Sequence, residues 1–216
     1  MRTGAIGGIA TKYLARKDSS VLGLIGAGVQ AKSQLSAISK ASRLEEVKVY
    51  DKEQRVVDQF KDVEQDYSFD FRACLKAEEC VSGADVISMT TPSSNPTVKN
   101  EWISPGVHTN AIGADAPGKE ELDPFILKRA KIVVGDIGQA ARSGEINVPL
   151  EKGIIGMADI FAELDEVILG KKNGRASENE ITVFDSTGLS LQDVATAHMV
   201  LEKAKQNSSA KQIWIV

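Results

Sequence analysis

Apolar residues in this chain recur at two spacings that alternate along its length. Ile6, Ile9, Ala10, Tyr13 and Leu14 repeat at three- and four-residue intervals, which predicts a helix over residues 2–17. Residues 21–25 are a short apolar run entering a glycine cluster, the mark of a buried strand. The same reading predicts helices over 30–41, 53–66 and 75–82, strands over 47–50 and 85–90, and a weak edge strand over 67–72. The strand at 85–90 runs out into Thr91-Pro92-Ser93-Ser94, which is loop chemistry. Farther on, strands are expected at 107–112, 132–135 and 181–184, and helices at 124–130, 157–170 and 191–205. Pro124 suits the first turn of its helix. Helix 157–170 should bury Ile160, Phe161, Leu164, Val167 and Ile168 on one face. Helix 191–205 should turn Leu191, Val194, Ala195, His198 and Leu201 inward. Short apolar strands alternating with amphipathic helices predict an α/β fold, a doubly wound parallel sheet covered on both faces. A polar stretch at 207–211 leads to an apolar, strand-like end, Ile213-Trp214-Ile215-Val216. Residues 1–206 are therefore expected to form one domain, with 207–216 a tail that pairs elsewhere.

Composition narrows the class. The chain has 216 residues, 42% hydrophobic and 26% charged, ordinary values for a globular protein. Its net charge of −4 gives no electrostatic footprint for nucleic acid or an anionic membrane. No apolar run approaches the ~20 residues of a membrane span, and no signal-peptide pattern opens the chain. Cys74 and Cys80 lie six apart with no accompanying histidine cluster, so neither a disulfide framework nor a metal site is expected. They are expected as partly buried thiols on one helical stretch, and a reducing cytoplasm is the expected compartment.

The most informative stretch is Gly26-Ala27-Gly28-Val29-Gln30-Ala31, which fills a G-x-G-x-x-A pattern between a predicted strand and a predicted helix. Gly26 permits a tight turn, Gly28 lets backbone approach a pyrophosphate, and Ala31 lets helix pack closely on strand. The phosphates would meet the free N–H groups and positive end of that helix, around Ala27, Val29 and Gln30. Asp51 lies 20 residues beyond Ala31, at the end of the second strand. A carboxylate there accepts hydrogen bonds from the adenosine ribose and repels a 2′-phosphate, so NAD is expected ahead of NADP. Lys52 and Arg55 keep NADP as an alternative. Flavin and S-adenosylmethionine use related turns.

Five ordered motifs go further: Arg2-Thr3-Gly4-Ala5 with Gly7-Gly8; Gly26-Ala27-Gly28; Gly113-Ala114-Asp115-Ala116-Pro117-Gly118-Lys119; Gly144-Glu145-Ile146-Asn147; and Asp185 through Asp193. Together they resemble the ornithine cyclodeaminase/μ-crystallin family, most of all its archaeal-type alanine dehydrogenases. The resemblance implies a Rossmann-type cofactor domain in an NAD-dependent oxidoreductase that acts on a small amino acid, usually as a homodimer or larger assembly. It implies L-alanine oxidation to pyruvate and ammonium, with ornithine cyclodeamination, ketimine reduction or non-catalytic binding of the μ-crystallin kind as alternatives. Family members carry a segment ahead of Arg-Thr-Gly that bears a lysine and a carboxylate-binding arginine. This sequence starts at the motif, so it is expected to be the cofactor half, binding NAD without turning over amino acids alone. Residues 213–216 resemble the strand that returns to that other domain.

By the same resemblance Asp115 is the catalytic acid/base, Arg2 meets the substrate carboxylate and Thr3 a cofactor phosphate. Read without the family, an aspartate in a turn such as that of Asp115 is more often just a turn former, and Arg2 reads as a frayed terminus. Thr90 and Thr91 end a strand where a loop commonly borders the nicotinamide ribose, or their hydroxyls satisfy backbone. Ser186, Thr187 and Gly188 are expected to face the carboxamide, unless Thr187 or Ser190 caps the helix that follows. His108 and His198 are expected to be structural. Lys119 lacks the glycine pattern of a phosphate-loop lysine.

Overall fold

The computed structural model describes residues 1–60 and 67–207. Among these, eight strands form one sheet: β1 (Val21–Ile25), β2 (Glu46–Tyr50), β3 (Asp70–Ala73), β4 (Val86–Met89), β5 (His108–Ala111), β6 (Ala130–Val134), β7 (Ile160–Glu163) and β8 (Ile181–Asp185). Their order is β3-β2-β1-β4-β5-β8-β6-β7 and every pairing is parallel. The chain runs outward from β1 through β2 to β3, then returns to place β4 on the other side of β1. That reversal opens a crevice at the carboxyl ends of β1 and β4, where open α/β sheets take ligands. The doubly wound parallel sheet expected from the alternation is present.

Helices α1 (Arg2–Leu14), α2 (Val29–Ala41), α3 (Gln54–Phe60), α4 (Ala77–Val81), α5 (Pro124–Arg129), α6 (Ile137–Ser143), α7 (Asn147–Glu151), α8 (Leu164–Ile168) and α9 (Ser190–Gln206) complete the described chain. Leu22, Leu24, Val47 and Val49 pack one sheet face against Ala31, Leu35, Ile38, Val57 and Phe60. Ile25, Ile87 and Met89 point the other way, toward Cys80, Val81 and Ile126. A third cluster joins Ala10 and Leu14 of α1 to Val133, Phe184, Leu164 and Val167. Each fully buried large aliphatic or aromatic side chain contributes about 1.5–3 kcal/mol. Helix α1 lies directly on α2. A Cβ on Gly4, Gly7 or Gly8 would come within 2.1, 2.0 and 2.8 Å of Ser33, Gln34 and Ala37. This close approach brings Arg2 and Thr3 beside the start of α2, and Gln34 Nε2 fastens it by donating to the Thr3 carbonyl at 2.9 Å.

Both histidines lie away from the crevice. His108 is fully buried, 2.9 Å from Thr182 Oγ1 and 3.1 Å from Asn110 Oδ1. The amide oxygen can only accept, so Nε2 carries the proton, while the Thr182 hydroxyl donates to the Leu14 carbonyl at 3.0 Å. Burial lowers its pKa to about 3, which keeps the ring neutral. His198 is exposed on α9.

Three expectations change. Residues 157–170 are not one helix: a 3₁₀ turn (Met157–Asp159) leads into β7, and only then α8. Ile160 and Ala162 extend beside β6, and the strand stops where Glu163 and Glu166 cap the next helix. The apolar row of α9 is not turned inward; Leu191, Val194 and Leu201 are exposed and the helix buries no residue of its own. Cys74 precedes α4 rather than sharing its helix with Cys80, and both thiols are fully buried and free. The end of the predicted helix 53–66 and the strand 213–216 lie outside the described residues. Among the described residues no helix is long and apolar enough to cross a membrane.

Candidate active site

The crevice holds two cavities that share the wall Thr90-Thr91-Pro92. The outer one, about 630 Å³, lies over β1 and β2 and is bordered by Gly28, Asp51, Leu75, Ala77 and Trp102. Its floor is the glycine turn. The Gly26 N–H bonds the Tyr50 carbonyl at 2.8 Å and its φ is +94°, a conformation that a side chain strains. A Cβ on Gly26 would also press within 2.9 Å of Thr90 Oγ1. Gly28 differs: a Cβ there would meet no atom of the chain within 4 Å. Its lack of a side chain serves no internal contact and leaves open space over the amino end of α2. No side chain caps that helix, so its first N–H groups and positive dipole end face the opening. Val29 and Gln30 stand exposed there, and Ala27 is buried beneath.

Asp51 is held rigidly. Its Oδ2 accepts from Ala27 N at 2.9 Å and its Oδ1 from Glu53 N at 3.0 Å. Each oxygen keeps a lone pair for a vicinal diol, and the fixed charge opposes a phosphate at the same place. An uncapped helix start, an open Gly28 and an anchored carboxylate fit a dinucleotide's pyrophosphate and adenosine ribose.

The inner cavity, about 240 Å³, is where α1, the β4 and β5 ends and the turn after β8 meet. It brings together Arg2, Thr3, Gln30, Asp115, Ser186, Thr187 and Gly188, seven residues expected from four separate motifs. Thr90 and Thr91 line it too, but their hydroxyls are engaged by the protein. Thr90 Oγ1 donates to Ile25 O at 3.3 Å, and Thr91 Oγ1 to a Glu121 oxygen at 2.7 Å. Thr187 Oγ1 donates to Gln139 Oε1 at 3.1 Å, and α9 starts without a side-chain cap. The capping alternative for this turn therefore falls away. Arg2 Nε pairs with Asp193 at 2.9 Å, and its Nη groups lie over Gly188 with no partner among the described residues. Asp115 is more than half exposed and pairs with Lys119 Nζ at 2.5 Å.

The turn that carries Asp115 is anchored by residues the sequence reading did not single out. Asn147 Oδ1 accepts from Gly118 N at 3.0 Å and its Nδ2 donates to Lys119 O at 3.2 Å. The buried Glu145 carboxylate accepts from Glu121 N at 3.0 Å and Leu122 N at 2.7 Å. Asp185 accepts from Ile146 N at 3.1 Å. Glu121 itself is buried against Thr91 and Gly113. Burial lifts the Glu121 pKa to about 7 and that of Asp185 to about 7, while burial and the neighbouring Glu121 push Glu145 well up. A signal for Glu145 and Asn147 was present in their motif, where a charged and an amide residue interrupt apolar sequence.

Comparison with known proteins agrees with this geometry. Residues 1–208 match the family described as the ornithine cyclodeaminase/mu-crystallin family. The chain is 51% identical over 213 residues to an alanine dehydrogenase of Archaeoglobus fulgidus, covering 99% of this chain and 66% of that protein. Among solved structures it superposes on an archaeal alanine dehydrogenase dimer with bound NAD (TM-score 0.94, 50% identity, 99% of this chain and 66% of that one). It also superposes on a Thermococcus litoralis Δ1-pyrroline-2-carboxylate reductase in complex with NADH and L-proline (TM-score 0.95, 36% identity, 98% and 66%). The chain thus spans about two thirds of the length of these relatives.

Proposed function

We infer that this chain, which belongs to the ornithine cyclodeaminase/mu-crystallin family, is the cofactor-holding part of an NAD-dependent oxidoreductase of alanine dehydrogenase type. The reaction is L-alanine, NAD⁺ and water going to pyruvate, ammonium, NADH and a proton. The observation that carries the reading is the open space at Gly28 over an uncapped helix, with Asp51 pinned beside it. Residues 1–206 act as the dinucleotide domain.

When bound, NAD supplies the carbon that takes up hydride from the amino acid. The chain's own residues do the rest. The α2 amino end and Thr3 hold the phosphates, Asp51 holds the ribose hydroxyls, and Thr90 to Pro92 guide the ligand from the outer to the inner cavity. Ser186, Thr187 and Gly188 hold the carboxamide. The unpaired Nη edge of Arg2 takes the substrate carboxylate, for which a guanidinium fork is suited. Asp115, oriented by Lys119, removes a proton from the water that attacks the imino carbon and returns one to the departing amine.

The 36% identity to a reductase solved with NADH and L-proline supports a second reading, reduction of a cyclic imine by the same residues. Supplying NAD with L-alanine or with L-proline to an enzyme that joins this chain to a substrate-binding part, and following NADH, separates the two. Turnover on alanine supports the first reading, and turnover on proline alone supports the second. A homodimer or larger assembly is part of the proposal. It is supported by the dimer described for the alanine dehydrogenase and by the exposed apolar row on α9.

A further inference from the structure

Behind the inner cavity lies a carboxylate that the mechanism above does not use. Glu121 is fully buried. Its Oε1 accepts from both Thr91 N and Thr91 Oγ1, each at 2.7 Å. Its Oε2 accepts from Gly113 N at 2.8 Å, and the Ala114 N–H also bonds the carboxylate. One side chain therefore ties the end of β4 to the turn after β5, the two segments that wall the cavity. The fit is tight: a Cβ on Gly113 would come within 2.1 Å of Thr91 O and 2.6 Å of Glu121 Oε2. Only an acid satisfies both sides. A glutamine could serve Thr91 with its oxygen, but its amide nitrogen would face the Gly113 N–H donor to donor.

The charge is unusual as well. Among the described residues Glu121 pairs with no cation, and the ionisable groups that act on it from β8 and the α7 start are Asp185 and Glu145, both acids. The other charges around the cavity are the Asp115–Lys119 pair on the same turn and the Arg2–Asp193 pair of α1 and α9. The neighbouring Glu120 pairs with Lys152. A buried carboxylate without a counter-ion is costly, and a cation placed next to it recovers part of that cost.

We propose that Glu121 is a positioning residue that sets the walls of the inner cavity and, through its charge, favours the oxidised, cationic nicotinamide ring over the reduced, neutral one. This rests on the NAD reading above. Two of the residues whose N–H groups bond Glu121, Thr91 and Gly113, line the cavity, so the carboxylate lies directly behind that wall. Burial brings Glu121 to about 7, so its charge grows across the neutral range. A cationic ring pulls the carboxylate toward its ionised form. By the same coupling, affinity for NAD⁺ relative to NADH rises with pH through neutrality, and NAD⁺ binding near pH 7 releases a proton.

The test is calorimetry on the full chain with three probes, NAD⁺, NADH and ADP-ribose, the last reaching only the outer cavity and phosphate site. In the wild type, the ratio of NADH to NAD⁺ dissociation constants should rise about three- to tenfold from pH 6 to pH 8.5. In Glu121→Gln the ratio should be flat, with ADP-ribose affinity unchanged as the check that the fold is intact. A pH-dependent ratio that survives in Glu121→Gln overturns the proposal. So does a flat ratio in a wild-type chain that binds NAD⁺. If Glu121→Gln does not fold, the wild type alone decides. Titrations at pH 7 in two buffers of different ionisation enthalpy should report proton release with NAD⁺ and none with NADH or ADP-ribose. Equal proton release with all three overturns it. A wild-type chain that binds ADP-ribose but neither dinucleotide also overturns it, while loss of all three removes the NAD reading itself.

Discussion

Replacing Gly28 with alanine separates a turn built for a ligand from a turn built for the fold. The added methyl enters space where the chain has no atom within 4 Å, and the backbone there (φ −78°, ψ −168°) is extended and open to any residue. Alanine is a poorer helix cap than glycine by up to about 1 kcal/mol. It also reduces the freedom of the unfolded chain, worth roughly 0.4–1 kcal/mol the other way. The melting midpoint should therefore stay within about 4 °C of wild type. Binding should behave differently, because the methyl occupies the ground on which a pyrophosphate would sit. Losing one charge-assisted hydrogen bond at the α2 amino end costs about 1.5–3 kcal/mol, or roughly 10- to 100-fold in Kd. Gly26→Ala is the contrast, since its Cβ would meet Thr90 at a φ of +94° and the fold itself should weaken. Thermal melts and NAD calorimetry on both variants provide the comparison. A Gly28→Ala chain that binds NAD as well as wild type would refute the reasoning.

Other expectations follow from the same geometry. In an enzyme that joins this chain to a substrate-binding part, Asp115→Asn should lower alanine oxidation by ~10²–10⁴-fold while leaving NAD affinity within a few-fold, and an undiminished rate would remove Asp115 from the chemistry. Glu121, raised from 4.5 to about 7, and Asp185, raised from 3.8 to about 7, keep protons in the folded chain that the unfolded chain releases. Their contribution to stability is complete below about pH 4, declines from there and is lost once pH passes about 7, with Glu121 alone worth about 3 kcal/mol. His108, lowered from 6.5 to about 3, opposes this only below pH 6.5. The melting temperature should therefore fall between pH 5 and 7, where the two raised acids outweigh the one histidine and the lowered Cys74 does not yet titrate, less steeply in Glu121→Gln, and a rise over that interval would contradict the burial argument. Sedimentation at high concentration should show dimers or larger species formed through the apolar row of α9; a monomer throughout would count against that surface.

The β1–α2–β2 unit was legible because each of its constraints is local: an apolar strand, a glycine turn, a helix face and an acid at the next strand's end. The meeting of Arg2, Asp115 and Ser186 in one cavity was legible through motif resemblance and the rule that ligands sit at strand carboxyl ends. The segment 157–170 was misread because Ile160, Phe161, Leu164 and Val167 satisfy helical spacing, while pairing with β6 draws the first of them into a strand. Helices α6 and α7, seven and five residues long, were missed, although Asp136 caps α6 by accepting from Gln139 N. The apolar periodicity of α9 is real, but periodicity does not say whether anything covers the face. The burial of Glu121, Glu145 and Asp185 escaped because acids read as surface residues, although the last two lie in motifs that were recognised. Their burial depends on backbone N–H groups from loops far apart in sequence, which only the folded chain brings into reach.

We propose that the crevice between β1 and β4 takes NAD, chosen over NADP by Asp51. Calorimetric titration of the chain with each dinucleotide, repeated on Asp51→Ala, tests it most directly. Saturable binding with NAD preferred is expected, and a variant in which NAD weakens more than NADP, so that the preference shrinks or reverses. A wild-type chain that prefers NADP, or an Asp51→Ala variant with its preference unchanged, would contradict it.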